Sequence, residues 1–265
     1  MPKFEDYLET NDALFHFTSA KVAIENILFE GSLRFSPYSR MNDPNEYRYQ
    51  DIYDSWSFGS LLQDNGFSKA SVVEILEHII RFNSKVCCFC QSNEKLPGYY
   101  KPRMWAQYSD NNEGVCLVFS KEKLLYYIKN HLKYKYLFSD YVAYKGEIPR
   151  SRYMIHQNIS NSVNYEDDAI THLHNNKNNI YFLKHTDFEQ ENEFRIILIK
   201  ENDDINYLTI PIKDFIKGII IGDRFHDSFV DIINHLSGKL KMEARRFRFH
   251  KGKYDLFNCT RISNR

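Results

Sequence analysis

The sequence lacks the features that mark several common classes of protein. It has 2 Trp and 5 Cys among 265 residues, and an odd number of cysteines gives no framework of paired disulfides. Its longest apolar run, 218–222, is far too short to cross a bilayer. The first residues contain no apolar core of the kind that a signal peptide needs. We therefore expect a cytoplasmic protein with reduced thiols and no membrane contact.

An excess of one charge is missing as well. The 35 basic residues balance the 35 acidic ones, so no global field draws the protein toward nucleic acid. The chain has no P-loop, no dinucleotide GxGxxG, no GxSxG and no HExxH motif. Cys87 and Cys90 have C-x-x-C spacing, but side chains three apart on a strand point to opposite faces, so we predict no metal site.

What the sequence contains predicts one α+β domain over residues 1–265. Hydrophobic residues make up 43%, enough for a sizeable core, and neither a repeat nor a Pro/Gly/Ser linker divides the chain. Helices are predicted at 20–29, 71–82, 102–108, 153–180 and 227–236. Strands are predicted at 13–17, 33–35, 86–90, 114–119, 138–142, 194–199, 207–210, 219–221, 245–250 and 255–262. Strands in clusters, with helices mostly between the early ones, favour α+β over a wound βαβ sheet.

The segment with the most chemistry is the E-x-E-x-R run from Glu191 to Arg195. If Glu191 already lies in the strand, Glu191, Glu193 and Arg195 project from one face, because strand side chains alternate. Two carboxylates about 6 to 7 Å apart on one face can divide the work: one stabilises a developing cation, and the other takes a proton. The alternative is a charged, solvated face on which Arg195 pairs with Glu193.

Two earlier polar motifs are candidates for ligand binding. His16 ends a strand just before a helix that Thr18 can cap, a position from which its ring can reach a ribose hydroxyl or a phosphate. A buried histidine satisfied by the backbone is the alternative. Ser36, Asn42 and Asp43 lie in a polar stretch that turn chemistry explains equally well.

Aromatic and basic side chains supply the remaining candidates. Trp105 is expected to anchor the core, and Tyr108 either packs or stacks on a planar ring. Arg246 and Arg248 alternate with phenylalanines, so a strand here has one basic face. That face either contacts phosphates or is simply solvated.

Taken together, five segments resemble, in order, a bacterial domain-of-unknown-function family, number twenty-nine seventy-one. They are His16 with 26–36, the Asn42-Asp43-Pro44 turn with Glu46, 88–90, 104–108 with 114–116, and 191–195. That family more distantly resembles the ADP-ribosyltransferase superfamily, which implies a split antiparallel β core with peripheral helices. Two positions depart from the family pattern: Phe188 stands in place of its usual Trp and Gln107 in place of its His.

The resemblance implies an NAD-dependent ADP-ribosyltransferase or NAD glycohydrolase, in a toxin or phage-defence effector. NAD is then the substrate, no metal is needed, and the acceptor is a protein or a nucleic acid. Glu193 would stabilise charge on the nicotinamide ribose and Glu191 would activate the acceptor. The residues expected to bind NAD are His16, Thr18, Ser36, Asn42, Asp43, Trp105, Tyr108 and Arg195. The alternative is a non-catalytic nucleotide- or nucleic-acid-binding module, with Arg246 and Arg248 on its working face.

Overall fold

The computed structural model describes residues 3–43, 46, 75–94, 96–147, 165–200, 206–250 and 253–261. Its strands are β1 (Ala13–Thr18), β2 (Ser32–Pro37), β3 (Ser84–Cys90), β4 (Val115–Ser120), β5 (Tyr136–Tyr141), β6 (Ala143–Lys145), β7 (Leu183–His185), β8 (Glu193–Ile199), β9 (Leu208–Pro211), β10 (Ile216–Ile221), β11 (Glu243–His250) and β12 (Lys253–Asn258). Its α-helices are α1 (Phe4–Leu8), α2 (Pro102–Tyr108), α3 (Lys121–His131), α4 (Tyr165–Tyr181) and α5 (Val230–Leu240).

Ten of these strands form one mainly antiparallel sheet, in the order β12-β11-β10-β4-β1-β3-β2-β9. Strand β8 pairs with β3 outside this path, and β5 pairs with β8. Strands β10 and β11 run parallel, as do β6 and β7, which form a separate small sheet. The described residues therefore confirm a mixed α and β fold with a mainly antiparallel sheet.

The sheet separates between β1 and β3, and this separation creates the site. Strand β1 pairs with β4 along its whole length, from Ala13 to Thr18. Its ladder pairing with β3 is limited to one residue pair, Phe15 with Cys90. The earlier part of β3 pairs instead with β2, where Val86 lies opposite Ser36. Beyond the one shared pair, the two strands diverge and leave a cleft between them.

Apolar residues fill both faces of the central strands. All six residues of β4 are buried, which agrees with the apolar run that its first five residues form. In β8 the side chains alternate, because a strand has a period of two. Phe194, Ile196 and Leu198 join one core cluster, whereas Ile197 and Ile199 join a second cluster on the opposite face.

Most predicted elements are confirmed, with differences at helix ends and in short segments. The predicted helix 20–29 is π-helical from Val22 to Phe29, and the last predicted helix begins as a 3₁₀ turn at Asp227–Phe229 before α5. Helix α4 confirms the later part of the predicted 153–180 helix, while 153–164 and 71–74 lie outside the described residues. Helices α1 and α3 were not predicted. Within the described part of the chain, no helix combines the length and hydrophobicity needed to cross a membrane.

Candidate functional site

A pocket of about 200 Å³ opens where β1 and β3 diverge. Each of these strands supplies three consecutive wall residues, and the remaining walls come from the turn after β2, from α2, and from the segment 184–193. The lining residues are Phe15, His16, Phe17, Arg40, Met41, Asn42, Cys88, Phe89, Cys90, Met104, Tyr108, Lys184, Glu191 and Glu193. Most of the wall is apolar, and a few polar side chains converge on it, which is the usual composition of a ligand site.

His16 lies on the β1 wall as a neutral ring. Its Nδ1 atom is 3.0 Å from the carbonyl oxygen of Cys88, across the gap between the two strands. Because a carbonyl only accepts, Nδ1 carries the proton and Nε2 is left as an acceptor. Burial lowers the pKa of His16 below its ordinary value, although the Cys88 carbonyl opposes this effect. The ring therefore accepts a hydrogen bond rather than presenting a positive charge.

Glu193 begins β8 and forms a bidentate ion pair with Arg195. Arg195 Nε donates to Glu193 Oε1 at 2.7 Å, and Nη2 donates to Oε2 at 2.8 Å. The two side chains share one strand face, as the alternation predicted, and both are buried. Burial alone would raise the pKa of Glu193, but Arg195, helped by Lys184 and the Cys88 thiol, lowers it to about 2. The alternative of a solvated face is therefore wrong, although its Glu193–Arg195 pairing is present.

Arg195 is fully buried behind the pocket and does not line it. Its Nη2 lies 2.5 Å from Glu46 Oε1, and its Nη1 donates to the carbonyl of Tyr181 at 2.7 Å and to the hydroxyl of Tyr38 at 3.3 Å. A guanidinium enclosed in this way is not available to a ligand. Arg195 instead fixes the orientation of Glu193, because every carboxylate contact is a short, charge-assisted one.

Glu191 does not lie in β8. The prediction that strand alternation places it on one face with Glu193 and Arg195 is therefore wrong. Glu191 ends a 3₁₀ segment, Thr186–Glu191, and Asn192 then adopts a left-handed conformation with φ 46°. Asn is one of the residues that tolerate this conformation. The kink nevertheless returns Glu191 to the pocket wall, so both carboxylates meet there.

Three donors from residues 101–108 hold the segment that carries Glu191. Arg103 donates to the carbonyl of Asp187, and Lys101 Nζ donates to the carbonyl of Gln190 at 3.1 Å. The hydroxyl of Tyr108 donates to Glu191 Oε1 at 2.8 Å. Tyr108 therefore does more than pack, because its hydroxyl helps to fix the position of the Glu191 carboxylate.

The Glu191 carboxylate has a second partner, Lys184, on β7. Lys184 Nζ is 2.8 Å from Glu191 Oε2 and 3.6 Å from Glu193 Oε2. Its ammonium also lies 4.3 Å from the ring centroid of Phe188, a cation–π contact. Burial alone would lower the pKa of Lys184, but Glu193, Glu46 and Glu191 raise it, so the side chain stays charged.

The structure brings some predicted residues together and separates others. His16, Asn42, Tyr108, Glu191 and Glu193 line the pocket, and Asn42 also hydrogen-bonds the Tyr108 hydroxyl. This matches the expectation that His16 and Glu193 share one cleft. The roles assigned to these residues stay predictions.

Five other predicted binding residues are not among those that line the pocket: Thr18, Ser36, Asp43, Trp105 and Arg195. Thr18 pairs with Val115 in the sheet, and Ser36 pairs with Val86. Trp105 is fully buried, stacks on Phe247 at 5.1 Å and donates its Nε1–H to the carbonyl of Tyr99. It is a core anchor, as its residue type favoured.

The basic strand β11 does not form the solvated or phosphate-binding face that the sequence suggested. Arg246 is fully buried and pairs with Asp227 Oδ1 at 2.6 Å. Phe247 is buried on the other side, and Arg248 lies over the ring of Phe257 at 5.8 Å. With Arg246 enclosed, β11 does not offer two adjacent arginines to a nucleic acid.

Sequence reasoning missed Lys184 and Arg40 as pocket residues, and Glu46 as the second partner of Arg195. Lys184 directly follows the apolar run 180–183. A lysine at the end of a buried segment could have indicated a buried ammonium with a charged partner. Within the described residues, no group of three or more His, Cys, Asp or Glu is placed to hold a metal ion.

Comparison with protein families gives one match. Residues 104–196 match the family model described as "Protein of unknown function (DUF2971)". The match supports the resemblance to this family over its central and later motifs, from Met104 to Arg195. Searches of curated proteins and of solved structures found no match.

Proposed function

We propose that the protein cleaves NAD at the bond between nicotinamide and ribose, and passes the ADP-ribose to an acceptor or to water. One observation carries the proposal: His16, Tyr108 and the glutamate pair Glu191 and Glu193 come from three distant parts of the sequence and line a single pocket. The resemblance of DUF2971 to the ADP-ribosyltransferase superfamily supports the same reading. A toxin or phage-defence effector is the proposed setting, since NAD consumption harms the cell that hosts it.

The chemistry follows from the charges around the pocket. When the C1′–N bond breaks, its electron pair leaves with nicotinamide and positive charge develops on the ribose. Glu193 is held ionised near this position. Its carboxylate has lone pairs beyond the two that Arg195 uses, so it can still accept a hydrogen bond from a ribose hydroxyl. A fixed anion of this kind stabilises a cationic transition state without reorganising.

The size of the pocket limits which part of NAD enters it. About 200 Å³ is below the range of roughly 300–1,000 Å³ that is typical for sites enclosing a drug-sized ligand. The nicotinamide riboside end therefore occupies the pocket, where apolar walls from Phe15, Phe17 and Phe89 suit a flat ring. The adenosine end lies outside, near the exposed Arg40, whose charge suits a pyrophosphate.

The decisive test is release of nicotinamide from NAD by the purified protein, with and without cell lysate as a source of acceptor. Release without lysate supports hydrolysis, and release that needs lysate supports transfer. Glu191→Gln should slow transfer more than hydrolysis, because a bound acceptor group needs a positioned base, whereas an attacking water can release its proton to solvent after the C1′–N bond has broken. Wild-type protein that releases no nicotinamide under either condition would refute the enzymatic proposal.

A non-catalytic nucleotide-binding module is the second candidate, and the pairing of the carboxylates favours it. Both oxygens of Glu191 accept strong donors, and Glu193 is already bidentate with Arg195. Satisfied carboxylates suit a site that binds without reacting. Calorimetric binding of intact NAD, with no nicotinamide released over hours, would identify this function.

A further inference from the structure

Lys184 is the cation that joins the two carboxylates of the pocket. Its Nζ lies 2.8 Å from Glu191 Oε2 and 3.6 Å from Glu193 Oε2, and its side chain also lines the pocket. Arg195, by contrast, touches Glu193 from behind and is not a wall residue. Lys184 therefore contacts both carboxylates from a position that a ligand can reach.

We propose that Lys184 is a positioning residue for NAD cleavage, setting the orientation and separation of Glu191 and Glu193; the inference rests on the proposed function. Two carboxylates facing one pocket repel each other unless a cation lies between them. The ammonium removes this repulsion and ties Glu191, which a kinked 3₁₀ segment carries, to Glu193, which a rigid central strand carries.

The surroundings of Lys184 define what its removal changes. Phe188 covers the ammonium on one side, so water does not easily replace it. The charged and titratable groups that act on Lys184 or on its two carboxylates are Glu46, Glu191, Glu193, Arg195, Lys101, Tyr108, Tyr144, Cys88 and Cys90. Without Lys184, the cation in direct contact with the pair is Arg195, and it reaches Glu193 alone. Glu191 then keeps only the Tyr108 hydroxyl among its described carboxylate partners.

Lys101 provides a matched control within the same region. It is also a buried lysine beside the 186–191 segment, but its Nζ donates to the backbone carbonyl of Gln190 and it does not line the pocket. Lys101→Ala therefore removes a buried ammonium without removing a carboxylate partner in the pocket. Comparison of the two variants separates loss of a buried lysine from loss of the bridge.

The experiment is chemical rescue of Lys184→Ala. Because Lys184 lines the pocket, its truncation opens a space that joins the pocket, and propylammonium matches the atoms removed. We expect kcat for nicotinamide release to fall by about 10²-fold with a smaller change in KM, the scale of a misplaced reacting group. Propylammonium should restore a large part of kcat, whereas propanol, similar in size but uncharged, should not. Lys101→Ala should show no such rescue.

A second measurement does not depend on activity. Titration of ¹³C-labelled glutamate carboxyls by NMR should show that the pKa of Glu193, about 2 in the wild type, rises in Lys184→Ala and falls again with propylammonium. Lys184→Arg, which keeps the charge, should hold it low, and it serves if the alanine variant does not fold. An unchanged pKa, or rescue by propanol, would overturn the role of Lys184. Wild-type protein without nicotinamide release would instead overturn the proposed function, and the titration would still decide whether Lys184 controls the pair.

Discussion

Strands β8 and β11 both begin with a glutamate and both contain arginine, but they use these charges differently. Each strand buries one arginine completely: Arg195 in β8 and Arg246 in β11. Arg195 binds a carboxylate that lines the pocket, whereas the partner of Arg246, Asp227, is not a lining residue. A buried ion pair is therefore weak evidence for function by itself. It becomes informative where one partner also faces a cavity.

The comparison also shows why breaking the Arg195 and Arg246 ion pairs should lower the unfolding free energy by different amounts. Arg195 serves two carboxylates, Glu193 and Glu46, and burial raises the pKa of Glu46 even though Arg195 opposes this. Arg246 has one carboxylate partner among the described contacts, and the Asp227 side chain is 33% exposed. Removing the guanidinium from β8 thus leaves more buried charge unpaired than breaking the pair in β11.

The largest effect is expected for Arg195→Met. It leaves the buried carboxylates of Glu193 and Glu46 without their shared cation, which typically costs about 3–5 kcal/mol of unfolding free energy. Denaturant unfolding at pH 7 measures the loss. Adding Glu193→Gln to this variant should recover part of it, because one of the unpaired charges is gone. A loss below about 1 kcal/mol, the scale of an exposed pair, would show that this face is solvated after all.

Glu193→Gln should affect both stability and catalysis. It removes the anion that faces the pocket, so nicotinamide release per folded molecule should fall by about 10²–10³-fold. It also leaves Arg195 with Glu46 as its carboxylate partner, so the variant should be less stable than the wild type. Unchanged turnover in the folded fraction would show that Glu193 takes no part in catalysis. The Glu193–Arg195 pair in β8 would then be structural, as the Arg246–Asp227 pair is.

Asp227→Asn tests the other side of the comparison. The buried Arg246 loses a charged partner, and we expect a cost of about 1–3 kcal/mol, the scale of a charge-assisted hydrogen bond. Nicotinamide release and NAD affinity should not change, because neither residue lines the pocket. A change in either at constant stability would assign β11 a functional role that its contacts do not suggest.

The strands of the core were predictable because their apolar runs leave few alternatives. Residues 115–119 of β4 and 218–221 of β10 are buried on both faces and contain no charged or polar side chain. Alternation likewise predicted correctly that Glu193 and Arg195 share a face. Whether that face is solvated was not predictable, because its burial depends on tertiary contacts with Tyr38 and Tyr181, which lie outside the strand.

The site was predictable only in part, and for a related reason. His16 and Glu193 meet because β1 and β3 share a single residue pair and then diverge, a property of the whole sheet. Lys184 reaches the two carboxylates, and Glu46 reaches Arg195, through tertiary contacts that no sequence spacing encodes. Glu191 reached the pocket by a different route from the one expected, through a left-handed Asn192 rather than strand alternation.

The smallest expected effect concerns His16, a neutral histidine that lines the same pocket as Glu191, Glu193 and Lys184. Burial lowers its pKa below the ordinary 6.5, so the folded protein favours the neutral ring. Between that lowered pKa and 6.5, the unfolded chain binds a proton that the folded chain does not. Stability contributed by neutral His16 is therefore present above pH 6.5 and is lost as the pH falls toward the lowered value. His16→Gln removes this titration.

The measurement is the unfolding free energy of wild type and His16→Gln at several pH values from 5 to 8. Taking the difference in unfolding free energy between the two proteins removes the pH dependence that the other histidines and the carboxylates contribute to both. The difference should be constant above pH 6.5 and should then change in the direction of lost wild-type stability, with a slope of at most about 1.4 kcal/mol per pH unit for one proton. A difference that is flat through this range would mean that the His16 ring titrates as it does in water. A change of opposite sign would mean that a protonated His16 is stabilised in the folded state, which would place a positive charge opposite the carboxylates and remove His16 as a neutral acceptor for the ribose.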